Sequence, residues 1–398
     1  MRIIFSSITC SNAEYLKVQK LKHKEKLNPS QKYFDMLLKG LASHENVSIS
    51  CVTARFIASS NCKKKFLSYK KEIIDAISYF YIPIVNFPLI RNFFNFIFGF
   101  LFTAKLCLQY RNEYRIFVAD PLVYDISYGA LLAARLFRLK KCAVVTDLPT
   151  YMAQIDKDGN GVSFKKKIKS SFMNNLIAAF DCYVFLTESM NVVNCKKKPY
   201  VIIEGMTYVN SSTITPKHVE NNIVLYAGGL YEQFGIKTLV EASKKINVPN
   251  FELHLYGEGN CIDYINSVSK DYPHVKYMGT LTLEEIVNVE SNAKILINPR
   301  PSSEKFTEYS FPSKTIEYMS TGRPVLTTPL KGIPKEYFDY LFVIDDESTQ
   351  GFVNALNQIL NVRSQELDMV GMNGAKFVYQ KKNAAVASVK MIKMYGTK

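Results

Sequence analysis

The charged side chains best suited to binding an anion are concentrated between residues 295 and 328, in ILINPRPSSEKFTEYSFPSKTIEYMSTGRPVLTT. Arg300 and Lys314 each supply a full positive charge, and Glu308 lies between them in the sequence. An anion such as a phosphate is held by positive side chains together with unpaired backbone N–H groups. This stretch therefore predicts an anion-binding site. The alternative is an ordinary βαβ unit with a solvated charged loop.

The secondary structure expected around these residues would bring them to one edge of a sheet. The apolar runs Ile295–Ile297 and Val325-Leu326 predict two buried strands. Between them, Phe311-Pro312-Ser313 is typical of a helix start, and we expect a helix from Lys314 to Thr321 that ends at Gly322. A strand followed by a charged loop and a helix N-terminus is the arrangement with which open α/β sheets hold anions.

Strand and helix patterns alternate along the rest of the chain. Ile223–Ala227 predicts a strand followed by the tight turn Gly228-Gly229, and Val275–Met278 predicts a strand that ends at Gly279. In the first half, a predicted strand ends just before Asp147, which makes Asp147 a candidate for catalysis or acceptor binding. A helix-cap or turn aspartate is the alternative for this residue. The alternation predicts a doubly wound parallel sheet in each half, with a cleft between the strand ends of the two domains.

The 398 residues are enough for two domains, each with its own core. We expect an N-terminal acceptor-binding domain over 1–205, a C-terminal donor domain over 206–380, and a terminal helix over 381–398 that packs back toward the first domain. The lysine run 196–199 and the polar stretch 210–215 would bracket the linker between the two domains.

The composition indicates a folded protein, with 47% hydrophobic and 21% charged residues. None of the eight cysteines falls in a CxxC pair or near a histidine cluster, which favours reduced thiols over disulfides or a zinc site. The five histidines are scattered and suggest no metal site. The N-terminus lacks the apolar run of a signal peptide, and we expect a cytoplasmic protein.

The net excess of positive charge lies in the first half of the chain. Residues 1–200 contain 30 Lys and Arg against 14 Asp and Glu, whereas residues 201–398 contain 20 against 21. A genome-wide enrichment in lysine would have raised both halves. The asymmetry predicts that the first half faces an anionic partner, either a membrane surface or a nucleic acid.

The most apolar segment of the chain is FFNFIFGFLFTA, Phe93–Ala104, between Arg91 and Lys105. It is well short of the ~20 residues that span a bilayer, so we do not expect it to cross a membrane. Two interpretations remain: a buried helix, which we favour, and an interfacial helix whose flanking Arg91, Lys105 and Arg111 contact anionic lipid.

Several motifs resemble those of the retaining glycosyltransferases of family 4, and FPSK is the form of the helix start in this chain. The second half carries EGM (204–206), YAGGLYEQFGIKTLVEA (226–242), LYGEG (255–259), YMGTLTLEEI (277–286), FPSKTIEYMSTGRPVLTT (311–328) and GAKFVYQKKNAA (374–385). The first half is similar more loosely, in VADPLVYDISYGALLAARL and VVTDLP. The resemblance implies the GT-B fold, in which two Rossmann-like domains face each other across a cleft.

The resemblance also implies that the C-terminal domain binds a nucleotide-sugar donor, commonly a UDP-sugar. Glu317 would accept hydrogen bonds from the ribose hydroxyls, and backbone amides near Ser313–Thr315 would meet the diphosphate. The implied donor-binding residues are Gly228, Gly229, Gly279, Ser310, Phe311, Pro312, Ser313, Thr315 and Glu317, and the catalytic candidates are Glu308, Arg300, Lys314 and Asp147. Because Lys314 or Arg300 can neutralise the departing diphosphate, we expect neither a metal nor another cofactor.

The chain departs from the family pattern at three places. The paired glutamates of the family are separated by seven residues, but the residue at that spacing before Glu317 is Tyr309, and Glu308 lies one position early. The Arg and Lys of the first phosphate loop correspond to Gly229 and Phe234. Arg300 and Lys314 are the candidates for replacing those charges, and Lys237 is a weaker one. The histidine expected just before Asp147 is a threonine.

The sequence therefore predicts a hexosyltransferase that moves a sugar to a lipid-linked or oligosaccharide acceptor during capsule, exopolysaccharide or O-antigen assembly. We expect it to lie peripherally on the inner face of the cytoplasmic membrane. A nucleotide-sugar epimerase of the same fold is an alternative, although it would need histidines and carboxylates in the cleft. An inactive donor-binding relative is another. A basic nucleic-acid-binding protein is disfavoured, because no zinc, helix-turn-helix or RNP signature is present.

Overall fold

A computed structural model describes residues 1–22, 29–88, 90–149, 164–208, 219 and 221–396. The chain divides into two compact units. The first comprises Met1–Tyr208 with Asn383–Lys398, and the second comprises Val209–Lys382. Each unit is built around its own parallel sheet, as the alternation of strand and helix patterns predicts.

The first unit has one large sheet and one small one. Its strands are β1 (Arg2–Ser7), β2 (Ser48–Thr53), β3 (Phe66–Leu67), β4 (Lys70–Ile74), β5 (Ile77–Tyr81), β6 (Ile84–Val85), β7 (Arg115–Ala119), β8 (Lys140–Val145), β9 (Cys182–Phe185) and β10 (Tyr200–Ile202). The large sheet has the order β10-β9-β8-β7-β1-β2-β5-β4, and β3 pairs with β6 in the small one. Neighbouring strands of the large sheet are parallel except β4 and β5.

The second unit has a fully parallel six-stranded sheet. Its strands are β11 (Asn222–Ala227), β12 (Phe251–Tyr256), β13 (Val275–Gly279), β14 (Ile295–Asn298), β15 (Val325–Thr327) and β16 (Phe342–Val343). Their order is β13-β12-β11-β14-β15-β16. The chain therefore builds outward from β11 to β13, returns to the other side of β11 at β14, and continues to β16. β11 and β14 flank the point at which the winding reverses.

Helices cover the sheets. They are α1 (Asn12–Lys20), α2 (Pro29–Ala42), α3 (Ile90–Gln109), α4 (Tyr124–Leu136), α5 (Phe164–Ala178), α6 (Ile236–Ser243), α7 (Ile262–Asp271), α8 (Leu283–Ser291), α9 (Ser313–Met319), α10 (Thr349–Leu360), α11 (Ser364–Lys381) and α12 (Ala384–Gly396). The central strands are buried on both faces, as parallel strands under two helical layers must be. Each unit has its own hydrophobic core.

The terminal helix α12 belongs to the core of the first unit. Met391 and Ala387 are buried there among side chains of α2 and the sheet. Gly40 of α2 allows the two helices to touch, because a Cβ at this position would lie 2.2 Å from the carbonyl oxygen of Ala384. The lysine run 196–199 precedes β10 inside this unit and is not a linker. The polar stretch 210–215, the other expected end of the linker, lies outside the described residues.

The prediction of a buried helix around Phe93–Ala104 is wrong for one of its two faces. The segment lies within α3, whose inner face packs against α4, whereas Phe93 and Leu101 on the other face are 60% and 53% exposed. The hydrophobic run indicates that the segment lies in apolar surroundings. It does not distinguish the interior of the protein from another apolar environment. Among the helices that the structure describes, none is both long and apolar enough to cross a membrane.

Candidate functional site

The predicted anion site lies where the winding of the second sheet reverses. The turn Gly228-Gly229 follows β11, and the loop that begins with Pro299 and Arg300 follows the adjacent strand β14. Open α/β sheets bind ligands in the crevice outside the carboxyl ends of the strands at such a point. The topology therefore brings together residues that are 70 positions apart in the sequence.

Glycines allow the backbone to pack closely around this turn. Gly257 has a φ of +133°, and a Cβ there would lie 1.8 Å from the carbonyl oxygen of Gly228. A Cβ on Gly228 would lie 2.5 Å from Cε of Lys314 and 2.8 Å from the hydroxyl of Tyr226. Lys314 therefore extends from the start of α9 directly over the turn. This contact confirms that the turn and the helix start share one location.

Arg300 is placed beside the same turn by two aromatic rings. Its guanidinium carbon lies 4.7 Å from the ring centre of Phe234 and 5.5 Å from that of Phe306. Nε is buried without a hydrogen-bond partner. Desolvation lowers the pKa of Arg300, and the nearby Tyr226 opposes that shift. No carboxylate in the described part of the chain forms an ion pair with this guanidinium.

The helix α9 is short and firmly attached to the sheet. It begins at Ser313, one residue earlier than predicted, and ends at Met319, and Gly322 adopts a φ of +77° beyond it. The buried hydroxyl of Tyr318 accepts from Ala227 N–H (2.9 Å) and donates to the Ala227 carbonyl (3.2 Å). These bonds fix α9 to the end of β11, so the position of Lys314 is determined by the sheet.

Three buried polar atoms around this helix and strand end have no partner in the described structure. They are Nε of Arg300, Oγ1 of Thr315 and Nδ2 of Asn298. Most buried polar groups in folded proteins are hydrogen-bonded, and exceptions often mark a ligand site. Thr315 was predicted as a donor-binding residue, whereas Asn298 was not. Asn298 is the last residue of β14. The sequence alone does not show that this strand end lies next to α9.

The remaining predicted donor residues lie at or near the start of α9. Some of them are accessible on the helix, and others are packed in the interior. Pro312 precedes the helix, Ser313 is exposed, and Glu317 is half-buried on the helix. Phe311 is buried against the ring of Tyr337, 5.5 Å away between centres, which indicates a packing role. The carbonyl of Ser310 passes so close to Gly332 that a Cβ there would lie 2.4 Å away.

The two glutamates occupy different elements. Glu308 ends a short 3₁₀ turn, Lys305–Glu308, and its carboxylate lies 4.0 Å from the ammonium of Lys331. Glu317 lies in the middle of α9. The structure places Glu308 on the loop that leads from Arg300 to α9, and the role of this residue stays a prediction.

Gly279 lies farther from the turn than the other glycines of the predicted site. It ends β13, which is separated from β11 by β12. Its carbonyl accepts from Gly257 N–H (2.8 Å), and its φ of +82° requires glycine. Gly279 therefore supports the glycine turn through Gly257, and we find no contact that places it beside Arg300 or Lys314.

Phe234, which the resemblance to family 4 aligns with a basic residue, packs directly on Arg300. A guanidinium from the neighbouring loop therefore lies against this side chain, and the replacement of the missing charge by Arg300 stays a prediction. Lys237, the weaker replacement candidate, is bound elsewhere: its ammonium donates to Glu232 (2.8 Å) on the surface, and this hydrogen bond raises its pKa. Of the three candidates, Arg300 and Lys314 lie at the turn.

The first unit places two carboxylates at adjacent strand ends. Asp120 follows β7 and Asp147 follows β8, and these strands are neighbours. Desolvation raises the pKa of the buried Asp120 to about 7, with a further contribution from Asp147. Desolvation also raises the pKa of Asp147 to about 6, although its side chain is exposed. Sequence reasoning missed Asp120, because before the strand order is known it resembles any turn aspartate before proline.

The raised pKa of Asp120 should make the free energy of unfolding depend on pH. Because its folded-state pKa of about 7 exceeds the ordinary value of 3.8, the folded state holds this proton longer than the unfolded state. The free energy of unfolding should therefore fall as pH rises from about 4 to about 7, by up to about 1.4 kcal/mol per pH unit. We expect Asp120→Asn to reduce this slope in denaturant unfolding between pH 4 and 7, and the raised pKa of Asp147 accounts for a slope that remains.

The exposed Asp345 provides the matched control, since Asp345→Asn also removes one carboxylate. It should leave the pH slope unchanged. The same slope in the wild type and in Asp120→Asn would show that Asp120 does not titrate in this range.

The described residues contain no group of three or more His, Cys, Asp or Glu side chains that could hold a metal ion. The cations already at the turn are Arg300 and Lys314.

A comparison with known protein families gives a match within the second unit. Residues 221–362 match the family described as Glycosyl transferases group 1. No curated protein sequence matches the chain. This domain contains β11 to β16 and the turn, loop and helix described above.

Solved structures resemble the whole chain. Sucrose-phosphate synthase from Thermosynechococcus elongatus covers 99% of this chain and 98% of its own at 15% identity, with a TM-score of 0.67. The trehalose-6-phosphate synthase OtsA covers 100% of both chains at 9% identity, with a TM-score of 0.64. HepE of Anabaena, in complex with UDP, covers 99% of both at 11% identity, with a TM-score of 0.60.

These comparisons confirm the predicted GT-B fold and the prediction that the chain is a glycosyltransferase. The assignment to family 4 with its FPSK form stays a prediction. So do the roles of the individual site residues.

Proposed function

We propose that this glycosyltransferase moves a hexose from a UDP-sugar to a lipid-linked or oligosaccharide acceptor, with retention of the anomeric configuration. The observation that carries the proposal is the cation at the point where the second sheet reverses. Arg300 is desolvated there beside Phe234 and Phe306, without a carboxylate partner among the described residues. A desolvated guanidinium without a carboxylate partner has no counter-ion. The diphosphate of a bound donor would supply one.

The chemistry of sugar transfer requires such a counter-charge. The bond that breaks joins the anomeric carbon to a phosphate oxygen, and the nucleoside diphosphate leaves with added negative charge. Preorganised cations aimed at that oxygen lower the barrier because they need no reorganisation when the charge develops. Lys314 over Gly228 and Arg300 beside the next strand supply two cations from different loops.

Groups around α9 would hold the rest of the donor. The buried hydroxyl of Thr315, which has no partner in the described structure, would donate to a phosphate oxygen together with backbone amides near Ser313. Glu317 would accept hydrogen bonds from the ribose hydroxyls. Glu308, on the loop between Arg300 and α9, would face the sugar.

Retention would follow from the way the acceptor is activated. The leaving phosphate itself would take the proton of the acceptor hydroxyl, which attacks the face that the phosphate leaves, so no dedicated protein base is required. Asp147, at a strand end of the first unit, would orient the acceptor. Its raised pKa agrees with a carboxyl group that can exchange a proton near neutral pH.

UDP is the nucleotide we favour. HepE, which shares the fold over its whole length, was solved with UDP. The acceptor would be a saccharide on a lipid diphosphate in the assembly of a surface polysaccharide such as capsule, exopolysaccharide or O-antigen. The excess of Lys and Arg in residues 1–200 suits an anionic acceptor at the inner face of the cytoplasmic membrane.

A thermal-shift screen with UDP-, GDP- and dTDP-sugars tests the donor assignment. A ligand that binds only the folded state raises the melting temperature in proportion to the logarithm of its concentration above Kd. We expect stabilisation by UDP-sugars at millimolar concentration, with UDP release and a retained anomer when a saccharide acceptor is supplied. Absence of stabilisation by all three classes, or inversion of the anomer, would contradict the proposal.

A further inference from the structure

The helix α3 buries several small or polar residues on one face and exposes large apolar residues on the other. Its buried positions are Asn95, Gly99, Thr103, Leu106 and Cys107, whereas Phe93, Leu101 and Leu108 are 60%, 53% and 58% exposed. A surface helix of a water-soluble protein normally buries its large apolar side chains and exposes its polar ones. The sequence of α3 is therefore suited to an apolar environment on its outer side.

The inner face shows why small residues are needed there. A Cβ on Gly99 would lie 2.4 Å from the carbonyl oxygen of Ile126, and one on Gly129 would lie 2.0 Å from that of Phe96. The backbones of α3 and α4 are thus in direct contact. Asn95 donates to Asp125 across the contact (2.8 Å). With this face filled by close packing, the large side chains must point outward.

The outer face is continuous and carries no acidic residue. We define it as the side chains at helical spacing on the side of α3 away from α4: Ile90, Phe93, Phe94, Ile97, Phe98, Leu101, Lys105 and Leu108. All of them are exposed or half-buried. Single exposed apolar residues are common, but a contiguous patch of this kind marks an interaction site.

A second segment extends the outer face and adds positive charge. This basic segment, residues 63–71, reads KKKFLSYKK, and four of its lysines are exposed. Tyr69 packs on Phe102 of α3 with ring centres 5.3 Å apart, and Phe66 packs on Phe87 at 5.6 Å. Phe66 is 62% exposed. Aromatic side chains between lysines are the composition with which proteins enter the headgroup region of a bilayer.

The charges decide which partner fits. In a dimer formed by two copies of this face, a twofold axis would bring the lysines of one copy toward those of the other. Like charges at such a contact are unfavourable, and α3 offers no carboxylate to relieve them. An anionic lipid surface supplies both a hydrocarbon layer for the rings and negative headgroups for the lysines.

We propose that the outer face of α3 and the basic segment 63–71 dock the first unit on an anionic membrane. Phe93, Leu101 and Leu108 enter the boundary between headgroups and acyl chains, while lysines of the basic segment contact the headgroups. Docking would serve the proposed function, on which this assignment rests, by bringing the enzyme to an acceptor that is anchored in lipid.

Vesicle sedimentation of the full chain tests the proposal. We expect binding to phosphatidylcholine vesicles that contain phosphatidylglycerol, weakened by salt, and little binding to phosphatidylcholine alone. Replacing Phe93, Leu101 and Leu108 by asparagine should weaken binding roughly ten-fold or more, because the inserted apolar area is lost. These side chains are more than half exposed, so the variant should fold.

A matched control replaces three equally exposed apolar residues that lie elsewhere, Leu136, Val192 and Met369, by asparagine. It should bind vesicles like the wild type. Equal binding by the outer-face variant and the control, or no binding of the wild type to anionic vesicles, would overturn the proposal. Wild-type dimers in solution that disappear in the outer-face variant would assign the face to a second copy and would overturn it as well.

The absence of tryptophan from the chain allows an independent test. A single tryptophan introduced as Phe93→Trp should shift its emission to the blue and be quenched by brominated lipid when anionic vesicles are added. Leu136→Trp, on another helix, should show neither change, and identical responses of the two would contradict docking through α3. The response of the outer-face variant to UDP-sugar separates the docking proposal from the proposed function. If UDP-sugar still raises the melting temperature of this variant while the wild type fails to bind vesicles, only the docking proposal is refuted.

Discussion

Arg300→Met should make the ligand-free protein more stable and abolish its stabilisation by UDP-sugar. The guanidinium is partly desolvated and has no carboxylate partner in the described structure, so an apolar side chain of similar length is better tolerated between Phe234 and Phe306. Replacing a buried charge in this way commonly gains about 1 kcal/mol or more. We expect a rise of about 2–4 °C in melting temperature for a unit of this size.

The same substitution removes the cation that we propose as the counter-charge of the diphosphate. Loss of one member of a desolvated charge pair costs about 2–5 kcal/mol in binding, which is about 30-fold or more in Kd. Thermal melts with and without UDP-sugar measure both effects together. Arg363→Met is the matched control, because Arg363 is exposed and pairs with Glu366 at the start of α11. It should change neither the stability nor the response to UDP-sugar.

Two outcomes would contradict this view of Arg300. A large loss of stability in Arg300→Met would mean that the guanidinium has a structural partner. Retention of the full UDP-sugar shift would mean that the diphosphate binds elsewhere. Increased stability combined with lost binding is the pattern of a residue kept for function at a cost to the fold.

Lys314→Ala should reduce the rate of UDP release from the donor by about 10²–10³-fold, since removal of one preorganised group that stabilises transition-state charge has effects of this size. The side chain of Lys314 passes over Gly228 with its Cε, and the departing phosphate would lie beside this turn. Folding should be little affected, because Lys314 is half-buried and no described carboxylate pairs with it. Initial rates at saturating donor and the melting temperature are the two measurements.

Lys335→Ala removes the same charge from an exposed position of the same unit and should retain full activity. Lys314→Arg should recover part of the rate, because it restores the charge with a different shape. Full activity of Lys314→Ala would remove this residue from the donor site. A rate lost in Lys335→Ala as well would point to a general effect of net charge.

The sequence predicted the strands of the second unit well because their hydrophobic runs end at glycine or proline. β11, β13, β14 and β15 each differ from the prediction by one residue at one end. The sequence motifs also predicted that Gly228-Gly229 and Lys314 belong to one site. The order of the strands could not be predicted, because it depends on packing between segments that are distant in the sequence. Asp120 and Asn298 became candidates only when their neighbouring strands were known.

The interpretation of Phe234 and α3 needed the structure for a different reason. Phe234 looked like a lost charge, and only its contact with Arg300 shows that a cation from another loop occupies the same place. For α3, a hydrophobic run indicates apolar surroundings without identifying them. Gly99 and Gly129 show that α3 and α4 pack backbone against backbone, which leaves large side chains of α3 on the exposed face.

Calorimetric titration with UDP and with uridine, in the presence of a chelator, tests the central claim most directly. If Arg300 and Lys314 contact the diphosphate as proposed, the wild type should bind UDP much more tightly than uridine, and the chelator should not weaken binding. The double variant Arg300→Met/Lys314→Ala should bind UDP no better than uridine. Undiminished binding of UDP to the double variant, or loss of wild-type binding in the chelator, would contradict the account.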